Sequence, residues 1–145
     1  MTTEWRFIAA FAAHLGRCGL QPGETVAVLS ESQSRPVLVE TARLAAQSLG
    51  GRVFDVVVPT PASAHAVPIR STGASQALAG HPAVIAGLAA SDLVVDCTVE
   101  GLLHSPELGA ILGGGARVLM ISNEHPEVLA RIGWDDDLPR RVDLG

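Results

Sequence analysis

The sequence predicts an α/β domain, a flavodoxin-like or half-Rossmann three-layer sandwich with a four-stranded, mainly parallel sheet. Short runs rich in β-branched and other apolar residues alternate with segments of helical periodicity, which is typical of a parallel sheet covered by helices. Hydrophobic residues make up 48% of the 145 residues, enough for one contiguous core. Charged residues make up only 17%, a low share that indicates strands buried on both faces.

The first half of the chain predicts two helices and two strands. Residues 4–19 place apolar side chains at helical spacing and end in glycines, which predicts the first helix. Residues 25–29 form an apolar run typical of a buried strand. Pro36 fits the first turn of a second helix, which ends at about Leu49, and residues 52–58 predict the second strand. The buried face of the second helix is predicted to consist of Val37, Leu38, Thr41, Leu44, Ala45 and Leu49.

The second half begins with an irregular stretch over 59–80, rich in Pro, Gly, Ser and Thr. A connection of this length is uncommon in a compact domain unless it is functional or mobile. Ser105 and Pro106 fit the N-cap and first turn of a later helix that ends in three glycines. The remaining elements are predicted as helices over 81–90 and 124–132 and strands over 92–97 and 117–121.

We predict one domain over residues 1–134. Residues 135–145 are charged and lack a periodic apolar face, so they form a tail or the start of a linker. The absence of a closing element after Val142 favours a fragment or the product of a split gene over a complete enzyme.

Charge and targeting signals exclude several classes of protein. The net charge is −5 and the ten basic residues, all Arg, are scattered, so neither nucleic acid nor an anionic membrane is an expected partner. The chain lacks both a signal peptide and an apolar run of about 20 residues, which favours the cytoplasm. Cys18 and Cys97 are isolated, and we expect both to be buried thiols without a chemical role.

Polar side chains gather where the predicted strands end, and ligands of open parallel sheets bind beyond these carboxyl ends. His104 lies on a loop after the third strand, and an imidazole there is suited to acid–base chemistry. The residues after the first strand also fit simple turn and cap chemistry. The other polar groups at these ends that we expect to contact a substrate are Ser30, Glu31, Ser32, Thr98 and Glu100.

Well-known catalytic and cofactor motifs are missing. The sequence has no GxGxxG, no P-loop and no GxSxG, and its five His are at least 16 residues apart in the chain. A metal site within this chain is therefore not expected. The acidic run Asp135-Asp136-Asp137 fits a solvated surface.

Two segments resemble a known family of enzymes. Residues 26–59 and residues 92–132, with the stretch LLHSPE at 102–107, are similar to the 2,5-dihydroxypyridine 5,6-dioxygenases. These oxidoreductases are non-haem Fe(II) enzymes that cleave the ring in nicotinic acid breakdown. They share a fold with metallo-aminopeptidases of the aminopeptidase T type. The resemblance covers nearly the whole chain, which corresponds to the amino-terminal domain of longer enzymes.

The resemblance implies a division of labour. Fe(II) would be the cofactor of the full-length enzyme and would be bound outside this chain, by a carboxy-terminal domain. His104 matches the His of the family's HSPE stretch. It would face a small aromatic substrate as a proton acceptor or hydrogen-bond partner, or it would only order its loop. The isolated 145 residues would be inactive, and the resemblance leaves assembly into a homo-oligomer open.

Two other functions compete with the dioxygenase. The chain could be the amino-terminal domain of an aminopeptidase T-like enzyme, whose absent domain would hold two metal ions. It could also be a non-catalytic ligand-binding or interaction module, in which case the low charge content would reflect a partner surface.

Overall fold

The computed structural model describes residues 4–61 and 75–121. Within these ranges helices and strands alternate along the chain. The helices are α1 (Trp5–Arg17), α2 (Pro36–Ser48), α3 (Pro82–Ala89) and α4 (Leu108–Gly113). The strands are β1 (Thr25–Glu31), β2 (Arg52–Val58), β3 (Leu93–Asp96) and β4 (Arg117–Met120).

The four strands form one sheet with the order β2-β1-β3-β4. Every neighbouring pair is parallel, which confirms the predicted fold class. The chain moves from β1 outward to β2 and then crosses back to β3 on the other side of β1. Strand order therefore reverses between β1 and β3, and the carboxyl ends of these two strands border the crevice where such folds bind ligands.

Helices cover both faces of the sheet and create two cores. On one face, α1 and α2 pack on alternate residues of β1 and β3, with Phe11, Leu38 and Val28 among the buried side chains. On the other face, α3 and α4 cover the intervening strand residues, among them Leu29 and Val94. Successive strand residues point to opposite faces, so the central strands are buried on both sides, as their apolar runs predict.

The structure changes some details of the predicted elements. The strand β1 continues to Glu31, two residues beyond the predicted end. The strand β2 lies at an edge and is mostly exposed, with 64% of Val57 accessible. On α2, Leu44 is only half-buried, whereas Ala42 and Ala46 are buried.

The predicted N-cap of α4 is wrong. The helix begins at Leu108, and its N-cap residue, Glu107, makes no side-chain cap bond. The hydroxyl of Ser105 donates instead to the carbonyl oxygen of Ser75, 2.6 Å away. The predicted helix over 124–132 and the proposed boundary between 1–134 and 135–145 lie outside the described residues, so both stay predictions.

Candidate functional site

Two acidic side chains lie at the carboxyl edge of the sheet, where strand order reverses. Leu29 on β1 pairs with Asp96, the last residue of β3, and Glu31 ends β1 two residues later. Because side chains alternate along a strand, Glu31 and Asp96 lie on the sheet face that α3 and α4 cover. The structure therefore gathers two carboxyl groups on one side of the crevice.

Asp96 is completely buried and accepts three hydrogen bonds from the loop that follows it. Its Oδ1 accepts from the backbone N–H of Thr98 at 3.0 Å and from the Thr98 hydroxyl at 2.6 Å. Its Oδ2 accepts from the backbone N–H of Leu102 at 2.9 Å. Burial raises the pKa of Asp96 to about 6, because desolvation outweighs these bonds, and the nearby charge of Glu31 acts in the same direction.

Glu31 fixes the same loop at a second point. Its Oε2 accepts a hydrogen bond of 2.6 Å from the backbone N–H of Val99. Burial raises the pKa of Glu31, and the charge of Glu100 adds to that rise, while bonds from Val99 and the Thr60 hydroxyl oppose it. The two carboxylates together bind the N–H groups of three loop residues.

Hydroxyl groups connect the loop after β1 to its neighbours. Ser34 Oγ accepts from the N–H of Glu31 at 2.8 Å and donates to the carbonyl oxygen of Cys97 at 2.7 Å. Ser32 Oγ accepts from the N–H of Thr60, which follows β2, at 3.1 Å. The loops at the carboxyl ends of β1, β2 and β3 are thus joined by side-chain hydrogen bonds.

His104 is displayed by a tight turn in the β3–α4 loop. The N–H of Ser105 donates to the carbonyl oxygen of Leu102 at 2.9 Å, which closes a four-residue turn with Leu103 and His104 at its centre. We name residues 102–105 the His104 turn. Its two end residues are buried, whereas Leu103 and His104 are exposed. The imidazole is therefore exposed to solvent, while both ends of its turn are packed into the protein.

An open groove of about 410 Å³ lies at the carboxyl end of β2 and reaches the start of α3. Thr60 lines it and also takes part in the hydrogen bonds between the loops. The other lining residues are Pro59, Pro61, Gln76, Ala77, Ala79 and His81.

The structure brings some of the expected substrate-contacting residues together and separates others. Thr98 is buried beside Asp96, and its hydroxyl both donates to Asp96 and accepts from Gly101, so it supports the loop. Glu100 lies close enough to Glu31 for their charges to interact. Alternation along β1 directs the buried Ser30 to the face of α1 and α2, away from Glu31.

Sequence reasoning missed Asp96 and Ser34, which hold the site together. A carboxylate at the end of an apolar strand, followed two residues later by a hydroxyl, is the signal that could have indicated Asp96. Most of the irregular stretch over 59–80 lies outside the described residues.

Metal and membrane sites were sought in the part of the chain that the structure describes. Within residues 4–61 and 75–121, no three His, Cys, Asp or Glu side chains come together in a way that could hold a metal ion. In the same ranges, no helix has both the length and the apolar character needed to cross a bilayer.

Comparisons with known proteins agree with one another. A family model described as 2,5-dihydroxypyridine 5,6-dioxygenase matches residues 6–145. A curated relative, the 2,5-dihydroxypyridine 5,6-dioxygenase of Pseudomonas putida strain KT2440, is 41% identical over 121 residues. That match covers 82% of this chain and 34% of the relative.

A solved structure of the 2,5-dihydroxypyridine dioxygenase from Pseudomonas putida KT2440 has a similar fold. It superposes with a TM-score of 0.77 at 36% sequence identity. The match covers 90% of this chain and 38% of that structure, so the chain spans little more than a third of the length of the relatives it matches.

Proposed function

We propose that this chain, which belongs to the 2,5-dihydroxypyridine 5,6-dioxygenase family, supplies the substrate-facing wall of a ring-cleaving dioxygenase. The substrate would be 2,5-dihydroxypyridine or a close analogue. The iron ligands would come from outside this chain, as the resemblance to the longer enzymes implies, and the chain spans little more than a third of its relatives. The observation that carries the proposal is the exposed His104, held on a fixed turn at the carboxyl edge of the sheet.

His104 would act on the substrate as a proton acceptor. An imidazole exchanges protons near neutral pH and can take the proton from a ring hydroxyl group, which leaves the ring oxygen negatively charged. The added electron density on the ring would favour its oxidation. The exposed position of His104 leaves its nitrogens open to a substrate, and within the described residues they make no hydrogen bond.

The surrounding polar groups would orient the ring. Glu31 ends β1, Ser32 comes directly after it, and Glu100 lies in the loop that follows β3. We retain Ser30 and Thr98 as proposed contacts as well, although the structure buries both. Cytoplasmic location and assembly into a homo-oligomer stay predictions.

Oxygen uptake on 2,5-dihydroxypyridine in the presence of Fe(II) tests the proposal. We expect uptake only when the chain is combined with the remaining part of the enzyme, and none from the 145 residues alone. In the combined enzyme, His104→Ala should lower kcat by about 100-fold or more, since a general base typically contributes about 100- to 10,000-fold. His14→Gln, on α1, is the matched control and should keep the rate of the unsubstituted enzyme.

Two outcomes would contradict the proposal. Uptake by the isolated chain would show that the metal site is not confined to the remaining part. An unchanged kcat in His104→Ala would leave the imidazole without a role in the reaction and would favour the alternative that His104 only orders its loop.

A further inference from the structure

The His104 turn is fixed at both ends by side chains. At its start, the N–H of Leu102 donates to Oδ2 of Asp96, which is completely buried at the end of β3. At its end, the hydroxyl of Ser105 donates to the carbonyl oxygen of Ser75. These two bonds hold the residues that flank the exposed pair, so the direction of the imidazole depends on them.

The loop before the turn depends on the same carboxylate. Thr98 binds Asp96 through both its N–H and its hydroxyl, and that hydroxyl accepts from the N–H of Gly101. Gly101 has a φ of +83°, a conformation that favours glycine, and its carbonyl oxygen accepts from the N–H of Ser75. The path from β3 to His104 is therefore organised around the Asp96 side chain.

In the part of the chain that the structure describes, the hydrogen-bond partners of Asp96 are all donors, and these bonds favour the ionised form against the effect of burial. An ionised carboxylate accepts at both oxygens, whereas a protonated carboxyl or an Asn amide presents a donor at one of them. The donor on residue 96 would then face another donor, either the N–H of Leu102 or the N–H and hydroxyl of Thr98. One of the bonds that hold the loop would be lost.

Among the described residues, few charged groups face Asp96. Glu31 on β1 is the neighbouring carboxylate, and Cys97 follows in the chain. The helices α3 and α4, which cover this face, contain no titratable residue, and His81 and Glu107 flank them. In the described residues no Arg or His forms an ion pair with Asp96 or Glu31.

We propose that Asp96 is a positioning residue that fixes the His104 imidazole for the reaction by binding the backbone of the His104 turn as a carboxylate. This inference rests on the proposed function of His104. It assigns a role in the reaction to a buried side chain that is itself out of reach of the substrate.

The test compares Asp96→Asn with Asp55→Asn, an exposed carboxylate on β2 that pairs with Arg43. In the 145-residue chain, hydrogen exchange of the Leu102 amide should be at least about tenfold faster in Asp96→Asn and unchanged in Asp55→Asn. In the combined enzyme, Asp96→Asn should lower kcat by about tenfold, because a poorly held base is misplaced, and should leave KM within about twofold.

The pH dependence of the unsubstituted chain gives an independent readout. The amide resonances of Thr98 and Leu102 should shift together as pH falls through about 6, where the buried carboxyl takes up a proton. The same shift should be absent in Asp96→Asn. If Asp96→Asn fails to fold, Ser105→Ala takes its place, because it removes the hydrogen bond at the other end of the His104 turn. This variant should lower kcat and leave unchanged the pH at which the amide resonances of Thr98 and Leu102 shift.

The outcomes separate this inference from the proposed function. Unchanged Leu102 exchange and kcat in Asp96→Asn, or shifts of Thr98 and Leu102 that persist in Asp96→Asn, would overturn the positioning role. If His104→Ala keeps full activity while Asp96→Asn still loosens Leu102, the reaction assigned to His104 is wrong.

Discussion

The two edges of the sheet use carboxylates in different ways. At the amino edge, Glu24 Oε1 accepts from Arg117 Nη2 at 2.7 Å and from the N–H of Gln21 at 2.9 Å. Arg117 Nη1 also donates to the carbonyl oxygen of Gly19 at 3.2 Å. The charge of the carboxylate is therefore balanced by a guanidinium that ties β4 to the loop before β1.

At the carboxyl edge, the carboxylates bind backbone N–H groups without such a cation in the described residues. Burial raises the pKa of both Glu31 and Asp96, so keeping them ionised costs folding free energy. Natural proteins tolerate such costs mainly where function requires a particular arrangement. The comparison indicates that the Glu24–Arg117 pair stabilises the amino edge, whereas Glu31 and Asp96 hold loops in place at the carboxyl edge.

The largest effect is expected from Gly114→Ala at the amino edge. A Cβ atom there would lie 2.7 Å from the Cβ of Ala89 and closer still to the Ala89 carbonyl oxygen, which is backbone and cannot swing away. Overpacking of this kind should lower the free energy of unfolding by about 3 kcal/mol. Urea unfolding followed by circular dichroism measures the change.

Gly113→Ala is the matched control for this close approach. A Cβ atom at Gly113 meets nothing within 4 Å, and the residue ends α4. We expect the free energy of unfolding to stay the same or to increase by about 0.5 kcal/mol, because Ala has a better helix propensity than Gly. An equal loss of unfolding free energy in both variants would show that the loss comes from restricting the backbone at the end of α4 and not from contact with α3.

The next effect is expected from Arg117→Met. The substitution keeps an apolar stem but leaves Glu24, whose side chain is 25% exposed, without its cation. Breaking a pair that is largely but not fully buried should lower the free energy of unfolding by about 2 kcal/mol. Amide resonances of the His104 turn should not move, since this pair lies at the other edge.

Arg43→Met provides the surface reference for that measurement. Arg43 Nε lies 3.4 Å from Oδ2 of Asp55 on β2, and both side chains are more than a third exposed. Such a pair should contribute less than about 0.5 kcal/mol. A loss in Arg117→Met no larger than in Arg43→Met would contradict the stabilising role assigned to the amino edge.

Most of the fold was predictable because its signals are local. Each strand was expected within two residues of its observed ends, since apolar runs between glycines and prolines mark buried parallel strands. The exposure of β2 was not predictable, because its run resembles those of the central strands and only strand order makes it an edge. Edge position is a property of the whole sheet.

The candidate site was predictable only in part. The rule that ligands bind beyond parallel strands indicated His104 and Glu31. The sequence pattern identifies Asp96 only as the end of a strand, because its role depends on a loop that turns back to donate to it. The local sequence predicts that Ser105 caps a helix, yet its hydrogen-bond partner, Ser75, lies 30 residues away in the chain. Such distant partners leave no pattern in neighbouring residues.

An effect smaller than those of Gly114→Ala and Arg117→Met concerns pH and the cost of charge at the carboxyl edge. Because the folded pKa of Asp96, about 6, exceeds the ordinary value of 3.8, the folded state binds more protons between these values. Stability from this group therefore increases as pH falls through 6 and decreases as pH rises. Relative to Asp96→Asn, the unsubstituted chain should gain about 1 kcal/mol in unfolding free energy from pH 7 to pH 5.

Urea unfolding of both proteins at the two pH values gives this difference, and comparison with Asp96→Asn cancels most other titrating groups. The raised pKa of Glu31 acts in the same direction in both proteins. A higher unfolding free energy at pH 5 than at pH 7 would mean that the protein is more stable when Asp96 is protonated, although protonation loosens the loop that Asp96 holds. The opposite sign would mean that the loop bonds outweigh burial, and that the carboxyl edge, like the amino edge, is arranged for stability.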